Sequence, residues 1–350
     1  MEMIFSSWKG IVMINEKNVI SLAGVRSLAG FLFFFGFIAI IMVTGCSDNG
    51  VISENDPTAG IPLASDDYSF DMEYQIKTGA GTVVNFNFGI ASFGDNFYAV
   101  SASPDSKVYR TSLTTALSGG IFGGPGSGSG QLDSPWDVAI FNDSALFISD
   151  SGNSRIQRFT TAGAYIGEFD GSTSGVRLTN PRGIAVSQSG YVFVIDSGLS
   201  NVRQFDLDGV HVKDIGAGPG TSDGQLNSPN DVTVDSDGSI YVTDTGNHRV
   251  VKYTSAGAFV VKWGSYGTGA GQFISPGGII ADSSGNVFVA DSGNGRVQRF
   301  DRQGRFLDQI GSYGPGLTNL NFPSGLSVDS LGRLLVVDKG NGRVKRFRKL

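Results

Sequence analysis

Carboxylates, amides and guanidinium groups recur in one spacing along much of this 350-residue chain. Asp150-Ser-Gly-Asn-Ser-Arg155, Asp244-Thr-Gly-Asn-His-Arg249, Asp291-Ser-Gly-Asn-Gly-Arg296 and Asp338-Lys-Gly-Asn-Gly-Arg343 share the pattern D-x-G-N-x-R. Clustered Asp and Asn could serve acid–base chemistry or hold calcium, which takes several oxygen ligands. Repetition argues for a simpler role. A reaction needs one centre, whereas Asp and Asn that cap a tight turn through side-chain-to-backbone hydrogen bonds are needed in every copy. The recurring arginines are expected to pair with neighbouring loop carboxylates. Other chemistry is sparse. One Cys and two His exclude an internal disulfide and a Cys/His zinc set. His248 fills a variable turn position and His211 an outer strand. Gly-rich stretches at 123–132, 216–226, 264–273 and 311–320 invite a phosphate-loop reading, but none carries Gly-Lys-Ser/Thr opening a helix.

The elements that position these groups are β-strands. The 51 Gly argue against a helical chain and for many tight turns. Pro135, Pro181, Pro229, Pro276 and Pro323 open five copies spaced 46 to 48 residues apart, and a weaker sixth starts near Asn87. Within one copy, Ile279-Ile-Ala281, Val287-Phe-Val-Ala290, Arg296-Val-Gln-Arg-Phe300 and Arg305-Phe-Leu-Asp-Gln-Ile310 are short apolar or alternating runs separated by Gly/Asn/Asp turns. Four strands in about 47 residues is the arithmetic of a propeller blade.

The P-x-G-I-A start, the strand ending in Asp and the D-x-G-N-x-R turn resemble the NHL repeat family over roughly residues 80–350. The resemblance implies an all-β, six-bladed propeller of four-stranded antiparallel blades. The last copy ends after its third strand. Phe70-Asp-Met-Glu-Tyr-Gln-Ile76 resembles a fourth strand, so an N-terminal strand is expected to complete the last blade and close the ring. The domain would span 67–350 as one monomeric unit.

In such a ring the first strand is innermost, and the x of P-x-G should line the mouth of the central channel. Those positions read Phe88, Trp136, Arg182, Asn230, Gly277 and Ser324. In two copies Asp replaces the following Gly, at Asp137 and Asp231. Because they break the repeat, Phe88, Trp136, Asp137, Arg182, Asn230 and Asp231 are the candidate ligand-facing patch. Aromatic faces with a guanidinium suit peptide, glycan or carboxylate recognition.

The first 45 residues read as an address. Residues 28–43 are strongly apolar, Lys17 and Arg26 precede them, and small residues follow, in the order of a secretory signal. Val43-Thr44-Gly45-Cys46 resembles the lipobox of bacterial lipoproteins, which implies a lipidated Cys46 and removal of 1–45. An uncleaved anchor is the alternative, since about 20 apolar residues span a bilayer. Met13 competes with Met1 as the start. Residues 46–66 are polar with Pro and Gly, a flexible tether. Ser47 after the Cys, by similarity to enterobacterial sorting rules, favours the outer membrane.

The net charge of −6 and the secretion signal speak against nucleic acid as a partner. Three functions follow from the resemblance. The first is a lipid-anchored, non-enzymatic binding or scaffold module for a protein, peptide or glycan, with no cofactor. The second is a propeller enzyme of the lactonase or lyase type, in which Asp137, Asp231 and Asn230 could ligate calcium. The third is an envelope sensor or assembly partner.

Overall fold

The computed structural model describes residues 11–15, 18–22, 68–75, 88–102, 104–115 and 118–349. The chain divides into a unit of residues 1–53 and a unit of residues 54–350. In the first, Ile11–Asn15 pairs antiparallel with Asn18–Leu22. The apolar run 28–43, Cys46 and the expected tether lie outside the described residues. Among the described residues no helix is long and apolar enough to cross a membrane.

The second unit is a ring of six four-stranded antiparallel sheets, a six-bladed β-propeller. Blade 1 runs Ile90–Phe93, Asn96–Ser101, Lys107–Ser112, Ser118–Gly123. Blades 2 to 5 begin at Pro135, Pro181, Val232 and Pro276 and end at Phe169, Ile215, Trp263 and Ile310. Blade 6 holds Pro323–Val328, Leu334–Asp338 and Arg343–Lys349, with Tyr68–Tyr74 as its fourth strand. That pairing runs from Val344 opposite Tyr74 to Lys349 opposite Tyr68. It begins two residues before the Phe70 expected from sequence. Arg343 and Arg346 pin the strand through Glu73 (2.7 Å) and Asp71 (2.5 Å).

The first strands also begin earlier than the apolar runs suggest. Pro276 pairs with Asp291, the ladder then skips two residues, and Ile279 pairs with Val289. The same irregularity follows Pro135, Pro181 and Pro323. Pro has no N–H to give a ladder and is tolerated at a strand start or bulge. The bulge takes the x-G pair out of the ladder, at the end of the strand nearest the connectors.

The core lies between successive blades. Tyr98, Val100 and Val108 of blade 1 pack on Val138, Leu146 and Ile148 of blade 2. Equivalent layers join blades 2–3, 3–4, 4–5 and 6–1. Burying each large side chain contributes about 1.5–3 kcal/mol, so the ring is held by a circuit of small cores.

Candidate functional site

Four turns show what the repeated aspartates do. The Asp291 carboxylate is fully buried and accepts from Ile274 N (2.8 Å), Asn294 Nδ2 (2.9 Å), Arg296 Nε (2.8 Å) and Gln298 Nε2 (2.9 Å). Asp150 repeats the set with Asp133 N, Asn153, Arg155 and Gln157. The arginine reaches on to the Gly-rich connector: Arg296 donates to Gly269 O and Gln272 O, and Asn294 to Gly267 O. Asp, Asn, Arg and the Gly-rich loop are thus one structural clamp, repeated in blades 4 and 6. The turn ends in a left-handed residue, occupied by Gly295, Gly342, Ser154 and, at φ 54, His248. His248 accepts from Ser275 N through Nδ1 (3.1 Å), and His211 meets Asp214 (2.8 Å) on an outer strand.

The repeat-breaking residues converge elsewhere. Phe88 and Trp136, from adjacent blades, stack with ring centroids 3.8 Å apart and planes 4° from parallel. The Arg182 guanidinium lies 4.5 Å over the Trp136 ring and the Lys339 ammonium 4.1 Å over Phe88. Neither cation fits in the gap between the stacked rings, so each covers an outer face. The result is an arc, Lys339–Phe88–Trp136–Arg182, drawn from blades 6, 1, 2 and 3. All ring faces are used, and the rings offer edges to a ligand rather than the open faces that the sequence suggests. Neither Arg182 nor Lys339 has an ion pair among the described residues, and Arg182 Nε is buried with no hydrogen-bond partner. Burial lowers the pKa of both.

Beside the arc is a small cavity of about 10 Å³, lined among others by Asp137, Asn230, Asp231 and Ser324. It is about the size of one water molecule. Each Asp ties two blades. Asp137 accepts from its neighbour Val138 N (2.8 Å) and from Ile184 N of blade 3 (2.9 Å). Asp231 accepts from Val232 N (2.8 Å) and Ile279 N of blade 5 (2.9 Å). The preceding blade makes room: a Cβ at Gly89 or Gly183 would fall 2.2 or 2.3 Å from the Asp137 or Asp231 Oδ1. The two carboxyls line the same cavity and act on each other's ionisation. Burial and the Asp231 charge push Asp137 well above the usual carboxylate range, and burial pushes Asp231 up to about 7. The pair therefore holds a proton near neutrality, and its oxygens are turned to backbone amides rather than to the cations of the arc. With all four carboxylate oxygens facing backbone amides, this is a poor calcium cage. No group of three or more His, Cys, Asp or Glu is gathered among the described residues.

The six sequence-derived residues thus meet at one mouth, and Lys339 joins them. Its signal was in the sequence. At the same turn position Ser151, Thr245 and Ser292 donate to the carbonyl of the next blade's Pro, and Lys alone departs from that small hydroxyl set. A larger groove of about 490 Å³ lies by His248, Lys262 and Tyr266. Its charged groups are already paired, Lys262 with Asp223 (2.9 Å) and Arg249 with Asp244 (2.6 Å), which makes it the weaker candidate.

Residues 132–159, 226–253, 273–300 and 320–347 match the model of the NHL repeat. The chain carries NHL repeats on a six-bladed β-propeller. Blades 1 and 3, which lack the full turn motif, fall outside those matches. A comparison with curated proteins finds no match. Among solved structures, a streptogramin B lyase is 13% identical over 83% of this chain and 100% of its own, with a TM-score of 0.55. A catalytically inactive histidine-to-alanine variant of virginiamycin B lyase from Staphylococcus aureus is 14% identical over 81% and 88%, with a TM-score of 0.54. An auxiliary nutrient binding protein from Bacteroides ovatus is 13% identical over 81% and 77%, with a TM-score of 0.59. At these identities the likeness is one of fold.

Proposed function

We propose that the protein is a non-enzymatic binding module whose channel mouth, at the Lys339–Phe88–Trp136–Arg182 arc, receives a protein, peptide or glycan. One observation carries this reading: the residues that break the repeat gather at one place, and two of them are half-buried cations without a counter-ion among the described residues. The binding reading is favoured over a lyase one by the histidines. The lyase neighbour is inactive without one of its own, whereas neither His211 nor His248 lines this mouth. The test is a peptide and glycan array probed with the full chain in detergent. Binding that Trp136→Ala abolishes supports the module; binding untouched by Trp136→Ala refutes the site.

The Cys46 resemblance supports display outside the cytoplasm on a lipid anchor, in the outer membrane. Labelled palmitate should enter the wild-type chain and not Cys46→Ala, which should leave the membrane fraction. Equal labelling of both would refute the anchor.

A further inference from the structure

Resting on the binding reading above, we infer that the mouth recognises a carboxylate-bearing peptide segment, its acidic side chains paired with Arg182 and Lys339. Four observations lead there. First, the other half-buried cations of the ring have polar partners: most pair with a carboxylate, and Arg110 and Lys252 donate to backbone carbonyls. Arg155, Arg249, Arg296 and Arg343 each hold a carboxylate within 3.2 Å, and even Arg302 and Arg333 find one. Among the described residues Arg182 and Lys339 have ring faces only, and a partly desolvated cation without a counter-ion is unfavourable.

Second, the carboxyls of the adjoining cavity are already committed. Asp137 and Asp231 are turned to backbone amides and to each other. The mouth thus presents two cations without a carboxylate turned to them, on a chain of net charge −6. Third, the unused polar atoms there are a buried Arg182 Nε, a donor, and the buried Ser324 Oγ, a hydroxyl able to donate. A planar guanidinium presents a fork that matches a carboxylate. Fourth, the covered ring faces leave no platform for the flat face of a sugar, and the water-sized cavity beside them has no room for a sugar ring. These features favour an acidic peptide over a glycan.

The test titrates the full chain in detergent with hexaglutamate, hexaglutamine and an oligogalacturonate of equal length. Saturable hexaglutamate binding is expected, weakening as salt rises. Arg182→Gln and Lys339→Gln should each lower its affinity about tenfold or more, while Arg182→Lys retains part of it. Arg305→Gln, at an exposed strand start, should bind as wild type, and thermal melts verify that each variant is folded. Equal binding of hexaglutamine, or Gln variants that bind like wild type, would overturn the inference. If Trp136→Ala still abolished binding in that case, the binding reading itself would stand. Oligogalacturonate binding in place of hexaglutamate would overturn the peptide assignment, and failure of all three probes would overturn the inference outright.

Discussion

Two sets of buried aspartates share this ring and live in opposite surroundings. Those of the repeated turns, such as Asp150 and Asp291, face an arginine, an amide side chain and a backbone N–H, and in these two blades a glutamine as well. Those of the mouth, Asp137 and Asp231, face only backbone amides and each other. The first set is scaffolding, each carboxylate bound to an arginine of its own turn. The second holds a proton near neutrality and turns its oxygens to backbone amides, away from any cation. The contrast teaches that the partners of a residue, and not its type, mark the site, and that the partners follow from whether a blade keeps or breaks the repeat.

The largest effect that would break this comparison is at a clamp. Asp291→Ala strands the buried Arg296 guanidinium and the connector amides, and should cost about 3 kcal/mol in denaturant unfolding. A loss below that of an ordinary surface change would contradict the scaffold role. Next comes pH. The folded-state pKa of Asp231 is raised to about 7, above the ordinary value of about 4, so the folded protein binds more protons than the unfolded one. The pair's contribution is therefore full below about pH 4 and is lost as pH rises through about 7. Unfolding free energy should fall between pH 5 and pH 8.5, and Asp231→Asn should flatten that slope while losing some stability by removing one amide acceptor. An unchanged slope in the variant would sink the shared proton. The smallest effect on stability is at the arc. Trp136→Ala removes one stack and one cation–π contact, worth about 1–2 kcal/mol together, so a thermal melt should move far less than for Asp291→Ala.

Much of this was legible before any coordinates. Period, Pro starts and turn chemistry define blades 2, 4, 5 and 6 because each blade repeats one local solution. Blade 1 reads weakly since Ala102 stands in place of the motif Asp, and blade 3 since Leu199 and Asn201 replace Asn and Arg. The price of that second break is visible: Asn201 Oδ1 and Gln204 Oε1 are buried without partners. The six mouth residues are legible as positions that depart from the repeat. Sequence could not show that the rings would close on each other, because stacking depends on the angle between adjacent blades. Nor could it show that Asp137 and Asp231, 94 positions apart, would share a proton. Lys339 is harder to read because a turn position tolerates most side chains, and the missing hydroxyl contact to the next blade explains its reach.

The central claim, that the broken repeat positions are the binding site, is tested most directly by the fluorescence of Trp136. With Trp8 and Trp263 replaced by Phe, it is the single remaining tryptophan. Titration with a ligand shown to bind should change its emission saturably, with the midpoint matching the affinity measured independently. A ligand that binds at full affinity and leaves that emission unchanged would place the site elsewhere on the ring.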